Sequence, residues 1–143
     1  CQSSGLFLVQ AEVEENQYIA NRPFRVNAGP ISLYVLSGRD KTNYLSELEA
    51  GYPVLIVDRE GRTRQSCVGR VKIERRPMVL VEAKWQGKRL KTILQNAETI
   101  RLVTREGSES VTELKPGTLV MARVEQGGRH FGNLVPEESI VEK

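Results

Sequence analysis

Short apolar runs separated by turn-forming residues follow one another along the 143-residue chain. The runs are apolar throughout or alternate between apolar and polar positions, a pattern typical of strands. We predict strands at Leu6–Val13, Ile31–Leu36, Val54–Val57, Arg62–Glu74, Met78–Ala83, Leu90–Leu94, Thr99–Val103 and Leu119–Val124, with Ser139–Val141 as an edge strand. Gly69 would mark a bulge in the longest of them.

Turn signals between these runs set the fold class. Turns are expected at Asp58–Gly61, Gln86-Gly87, Arg105–Gly107 and Gln126–Gly128. Neighbouring short strands at a spacing of roughly 8–12 residues are typical of antiparallel sandwiches and barrels. We therefore predict one mostly β domain over residues 1–143, a small barrel or sandwich of mainly antiparallel strands with one or two short helical turns.

One internal repeat supports this architecture. Leu45–Gly51 and Val111–Gly117 share the order apolar residue, Ser or Thr, Glu, Leu, two variable residues, Gly, and both lead into an apolar strand. The leucine would enter the core and the glycine would permit a tight exit. The repeat predicts how the chain re-enters a sheet and carries little information about function.

Composition excludes several classes of protein. No apolar run approaches the roughly 20 residues of a membrane span. Two cysteines and one histidine argue against a disulfide framework or a self-contained zinc site, and a reducing cytoplasm fits best. The net charge is +3, but Lys and Arg alternate with Glu, so we do not expect nucleic-acid binding. Because Cys1 is neither a start methionine nor part of a signal peptide, we expect further chain before it.

Four segments hold residues that could perform chemistry. Arg22, Arg25 and Asn27 lie on a proline-stiffened segment, where guanidinium groups suit a carboxylate or phosphate. Solvated surface arginines are the alternative. In the second segment, Lys72 is a candidate base or Schiff-base amine beside Arg75 and Arg76. A solvated strand face with weak ion pairs is the alternative.

The remaining two segments lie further along the chain. Gln95, Asn96 and Glu98 could bind hydroxyl groups or a cation, or Asn96 could simply form a turn. Arg129 and His130 stand between glycines that would let a ligand approach the backbone. His130 is the only side chain with an ordinary pKa near neutrality, which makes it a candidate acid, base or metal ligand, or an exposed hairpin histidine.

Seven segments in order resemble the type II, archaeal-type 3-dehydroquinate synthase family. They are Ser3–Glu12, Arg22–Gly29, Tyr44–Gly51, Val68–Pro77, Leu94–Val103, Val111–Gly117 and Gly128–Gly132. The resemblance covers the C-terminal part of that family. It implies NAD-dependent oxidative deamination of 2-amino-3,7-dideoxy-D-threo-hept-6-ulosonate, followed by cyclisation to 3-dehydroquinate in the shikimate pathway of aromatic amino-acid synthesis. A sister branch makes aminohydroxybenzoate with a divalent metal instead.

The resemblance gives each candidate residue an expected role. Arg22 and Arg25 would bind the substrate carboxylate, and Asn27, Gln95 and Asn96 its hydroxyl groups. Arg75, Arg76 and Arg129 would also bind the substrate. His130, Lys72 and Glu98 would be catalytic, and Glu12, Glu98 and His130 are the candidate metal ligands. We expect the NAD site in an N-terminal domain of the same enzyme and allow for a homo-oligomer. The alternative is a non-catalytic lid or oligomerisation module.

Overall fold

In the computed structural model the chain is mostly β, which confirms the predicted fold class. The structure describes residues 5–12 and 24–124, and the backbone of residues 129–130 and 133–134. Its strands are β1 Gly5–Phe7, β2 Tyr34–Leu36, β3 Thr42–Tyr44, β4 Pro53–Val57, β5 Thr63–Cys67, β6 Met78–Trp85, β7 Lys88–Gln95, β8 Arg101–Val103, β9 Ser108–Ser110, β10 Ala122–Val124, β11 Arg129–His130 and β12 Asn133–Leu134. A 3₁₀ turn spans Leu45–Glu47.

The described strands pair two by two and antiparallel. β2 pairs with β3, β4 with β5, β6 with β7, β8 with β9, β11 with β12, and β1 with the distant β10. Isolated bridges join Val9 to Leu102 and Thr104 to Val120, so β1 and β10 also approach the β8–β9 hairpin. No closed barrel forms among the described residues.

The β6–β7 hairpin is the longest pair and positions the candidate site. Its turn, Gln86-Gly87, has positive φ at both residues, 47° and 79°. This geometry is that of a two-residue hairpin turn whose twist matches the flanking strands. The turn fixes the register, and Met78 therefore pairs with Gln95 at the open end.

The core lies where β7, β8 and the second repeat copy meet. Leu94, Ile100, Leu102 and Val111 are buried together, with Leu102 fully buried. Partly buried side chains from β1, β6 and the chain before β10 pack against them, namely Phe7, Val9, Val79, Val81, Ala97, Leu114 and Val120. The inner face of β6–β7 is thus held by the β8–β9 unit.

The predicted long strand Arg62–Glu74 is wrong beyond Cys67. Hydrogen bonds between Gly51 and Val68 and between Val68 and Tyr52 continue the β4–β5 pairing by one residue. After that, residues 69–77 have no regular structure and are exposed, with Ile73 66% exposed. The alternation there reflects solvation of an extended segment, and Gly69 forms no bulge because the strand has ended.

The strands β3 and β9 are absent from the predicted set because they are polar. β3 reads Thr-Asn-Tyr and β9 reads Ser-Glu-Ser, neither of which signals a half-buried strand. Each forms a ladder with the strand before it: β3 pairs with β2, and β9 pairs with β8. The predicted strand Ser139–Val141 lies outside the described residues.

Both copies of the internal repeat make the predicted tight exit at their glycine. The exit glycines Gly51 and Gly117 have the predicted positive φ, 91° and 97°. The prediction for the leucines is only partly met, because Leu48 and Leu114 are half-buried and the buried residues are the first apolar ones, Leu45 and Val111. The 3₁₀ turn in the first copy confirms one of the short helical turns predicted for the domain, whereas the second copy makes hydrogen-bonded turns. No helix long and apolar enough to cross a membrane occurs among the described residues.

Candidate functional site

The open end of the β6–β7 hairpin gathers several predicted site residues. Asn27 Nδ2 donates a hydrogen bond of 2.5 Å to Gln95 Oε1, and Asn27 Oδ1 accepts one from the Gly29 backbone N–H at 3.3 Å. The contact joins residues 68 apart in sequence. We call Arg25, Asn27, Gln95 and Asn96 the amide–arginine cluster.

Gly29 is a residue of this site to which sequence reasoning gave no role. Its φ is 106°, and a Cβ there would lie 2.9 Å from the backbone oxygen of Ile93 on β7. A side chain would therefore both strain the backbone and push the segment away from the strand. The Asn-Ala-Gly-Pro sequence was the available signal, since such residues favour turns.

Arg25, two residues before Asn27 in the chain, carries an exposed guanidinium. Its Nε lies 3.7 Å from Glu12 Oε2, and its carbonyl accepts a hydrogen bond from the Glu12 backbone N–H at 2.7 Å. The Arg25 side chain is 70% exposed, so this long ion pair stabilises little and leaves most of the guanidinium facing solvent. The group remains able to bind a carboxylate.

Asn96 links the cluster to the second predicted segment. Its backbone N–H donates to the carbonyl of Pro77 at 2.9 Å, just beyond the Met78–Gln95 pair. Arg75 and Arg76 immediately precede Pro77 and are exposed. The hairpin end thus brings the Arg75–Arg76 segment to the neighbourhood of Gln95 and Asn96.

Glu74 binds the cations on either side of it. Lys72 Nζ lies 2.7 Å from Glu74 Oε1, and Arg76 Nη2 lies 3.0 Å from Glu74 Oε2. Hydrogen bonds from Lys72 and then from Arg76 hold the pKa of the Glu74 carboxyl below its ordinary value. Lys72 is therefore an exposed, ion-paired ammonium, an arrangement that favours the solvated alternative over a buried catalytic amine.

The candidate metal ligands do not form a site in the described part of the chain. Glu98 is exposed, and its carbonyl accepts a hydrogen bond from Ser110 Oγ at 2.8 Å. Glu12 is engaged with Arg25. Within the described ranges, no three His, Cys, Asp or Glu side chains converge as metal ligands.

The structure does not describe the side chains of three predicted site residues. Arg129 and His130 form β11, with His130 paired to Asn133 in a short hairpin, and only their backbone is described. Arg22 lies outside the described residues. Their proposed roles stay predictions.

A shallow cleft of about 540 Å³ lies elsewhere, over the second repeat copy. Its lining is polar and comes from Glu109, Thr112, Glu113, Lys115 and Thr118. Of the predicted site residues whose side chains the structure describes, none borders it. The cleft and the amide–arginine cluster are therefore separate features of the domain.

Comparison with known proteins gives consistent results. The family model described as "3-dehydroquinate synthase II C-terminal domain" matches residues 1–143. The chain is 58% identical over 142 residues to the 3-dehydroquinate synthase of Methanocaldococcus jannaschii, covering 99% of this chain and 39% of that protein. The enzyme of the same name from Methanocella arvoryzae is 59% identical over 143 residues, covering 99% of this chain and 38% of that protein.

A third relative agrees with these two. The 3-dehydroquinate synthase of Methanothrix thermoacetophila is 58% identical over 143 residues, covering 99% of this chain and 39% of that protein. No solved structure matches the chain. The chain spans about two fifths of the length of these curated relatives. It belongs to the 3-dehydroquinate synthase II family and corresponds to that family's C-terminal domain.

Proposed function

We propose that this domain is part of an enzyme that makes 3-dehydroquinate and that it binds the substrate through the amide–arginine cluster. The observation that carries the proposal is identity of 58–59% with proteins named 3-dehydroquinate synthase over 99% of the chain. The reaction would be NAD-dependent oxidative deamination of 2-amino-3,7-dideoxy-D-threo-hept-6-ulosonate followed by cyclisation.

The chemistry of the cluster fits the polar groups of such a substrate. The exposed Arg25 guanidinium can pair with a carboxylate in bidentate geometry. Each amide of Asn27, Gln95 and Asn96 offers both a donor and an acceptor, as hydroxyl groups require. The Asn27–Gln95 hydrogen bond supports the proposal because it orients both amides before a ligand arrives.

The described residues do not fit NAD or a metal. The described part has no α-helix after a strand that could receive a pyrophosphate at its N-terminus. Glu12 and Glu98 do not converge on one point with other ligands in this part of the chain. We therefore assign dinucleotide binding to the longer remainder of the enzyme and derive no step through NAD or metal here.

The reaction itself is tested with the full-length enzyme that contains this chain. The expected result is 3-dehydroquinate formation with one NADH per product when the amino acid substrate and NAD⁺ are supplied. Product formation that needs a divalent metal and yields no NADH would favour the aminohydroxybenzoate branch. Absence of both products would refute the proposal.

The cluster is tested by Gln95→Leu in the same enzyme. This change removes the amide but keeps a similar volume, and we expect kcat/KM to fall by at least about tenfold, mainly through KM. Gln65→Leu is the matched control, because Gln65 is an exposed residue of β5 away from the cluster. Equal kinetics in the two variants would remove Gln95 from substrate binding.

His130 is tested separately because its side chain is not described. His130→Gln should lower kcat if the imidazole transfers a proton, and unchanged turnover would remove it from the mechanism.

A second candidate function is a non-catalytic module that covers or assembles the enzyme. The exposure of Lys72, Arg75 and Arg76 favours it, since catalytic groups generally act in water-excluded sites. Full turnover in both the Gln95→Leu and His130→Gln variants would support this module over a substrate-binding domain.

A further inference from the structure

The strand β6 carries apolar residues on both of its faces. Met78, Val79, Leu80 and Val81 form a continuous apolar run at its start. Successive side chains of a strand point to opposite faces. An antiparallel hairpin with one solvent-exposed face therefore alternates between apolar and polar residues. A continuous run is the pattern of a strand that is covered on both sides.

The described chain covers one of these faces and leaves the start of β6 open on the other. Val79 and Val81 pack against the buried core, opposite Leu94 and Thr92 of β7. On the other face, Met78 is 39% exposed and Leu80 is 52% exposed. Leu80 pairs with the half-buried Ile93, so this more open face is apolar across both strands. We call Met78, Leu80 and Ile93 the outer patch.

The surroundings of the outer patch have the anatomy of an interface. Toward the hairpin turn, the same face carries Glu82 and Lys91, whose charged groups lie 3.5 Å apart. At the open end, the segment through Asn27 reaches Gln95 on this face and is flanked by Phe24 and Ile31, which are 53% and 50% exposed. An apolar centre with a polar rim is typical of a surface that binds protein.

We infer that the outer patch is the docking surface for the remainder of the same polypeptide, the part that the curated relatives have beyond their match to this chain. That part makes up about three fifths of the length of each relative, which is enough polypeptide to cover a two-stranded face. The inference rests on the proposed function in one respect, namely that this domain works inside the longer enzyme.

A second copy of this domain is a poorer occupant of the outer patch. The face and tip of the hairpin carry Lys84, Lys88, Arg89 and Lys91 against the single acid Glu82. A two-fold interface places the same surface on both sides, so these cations would border one another. Like charges facing across an interface weaken it.

Thiol accessibility in the full-length enzyme tests the assignment. Leu80→Cys and, as a matched control, Leu119→Cys are each treated with iodoacetamide, and labelling is followed by peptide mass spectrometry. Leu119 is 74% exposed and lies outside the hairpin, and the exposed Cys67 serves as an internal reference. Docking predicts that the thiol of the Leu80→Cys variant reacts at least about tenfold more slowly than that of the Leu119→Cys variant, because reaction then requires local opening.

Two outcomes would overturn the inference. If the two introduced thiols are labelled at rates within about twofold, the patch is as open in the whole enzyme as Leu80 and Leu119 are in this domain. Protection that disappears when the enzyme is diluted to a monomer would assign the patch to a second copy.

The labelling experiment can fail or succeed separately from the test of the proposed reaction. Slow labelling of the Leu80→Cys variant in an enzyme that makes no 3-dehydroquinate would uphold docking and refute the proposed reaction. Fast labelling in an enzyme with normal turnover would refute docking alone. Leu80→Glu, compared with Leu119→Glu, adds a second measurement: docking predicts a lower melting temperature and faster proteolysis for the first variant only.

Discussion

The two copies of the internal repeat follow the same backbone path but differ in what covers them. Each copy follows a hairpin and forms one unit with it. The first unit is the β2–β3 hairpin with Leu45–Gly51, and the second is the β8–β9 hairpin with Val111–Gly117. Corresponding turn hydrogen bonds, from Tyr52 to Glu49 and from Thr118 to Lys115, are both 3.1 Å long. Local sequence therefore produces the same turn twice.

Burial separates the copies. Leu102 of β8 and Val111 of the second turn belong to the core cluster, with Leu102 at 0% exposure. At the position that corresponds to Leu102, β2 has the half-buried Val35. The second copy is covered by β7 and by the bridge to Val9, whereas the first copy leads into the β4–β5 hairpin, in which β4 is half-buried and β5 mostly exposed. The repeated motif therefore determines the turn, whereas the strands packed against each copy determine how much its burial stabilises the fold.

The largest expected difference between the copies is in the core. Leu102→Ala should lower the free energy of unfolding by about 2–5 kcal/mol, because it leaves a cavity in a close-packed cluster. Val35→Ala at the corresponding position should cost only about 1 kcal/mol, since Val35 is already partly solvated. Urea denaturation measures both. Equal losses would show that the first copy is as tightly covered as the second.

The last residue of each hairpin carries a hydroxyl, and removing it should give a smaller difference in the free energy of unfolding. Ser110 is 1% exposed, and its Oγ donates to the Glu98 carbonyl at 2.8 Å and contacts Thr112 Oγ1 at 2.9 Å. Ser110→Ala should cost about 1 kcal/mol, because it removes a hydrogen bond made by a buried hydroxyl.

The corresponding residue of the first copy, Tyr44, is 52% exposed and packs edge-on against Tyr34. Tyr44→Phe removes its hydroxyl and should change the free energy of unfolding by less than about 0.5 kcal/mol. A loss for Tyr44→Phe as large as that for Ser110→Ala would contradict the assignment of burial as the cause.

The smallest expected difference concerns the exit glycines. Gly51→Ala and Gly117→Ala should each cost about 1–2 kcal/mol, because both have positive φ and an alanine Cβ is strained there. A Cβ at either position would meet nothing within 4 Å, so packing adds no further cost. The two losses should agree within error, and clearly unequal values would mean that the turns are not equivalent.

Much of the candidate site was predictable, although its assembly was not. The residue types of Arg25, Asn27 and Gln95 indicated ligand chemistry in the sequence. Their meeting depends on a contact between positions 68 residues apart, which no local pattern encodes. Lys72 was expected on a strand face, and only the path of the chain after Cys67 showed that it lies on an exposed segment beside Glu74.

The sequence by itself determined the local turns of this protein. The Gln86-Gly87 hairpin and the exits at Gly51 and Gly117 form as predicted, because positive φ and turn geometry depend on a few neighbouring residues. Tertiary structure alone decided which surfaces are buried. It placed the polar strands β3 and β9 in ladders and buried Ser110, because burial depends on the strands that arrive from elsewhere in the chain.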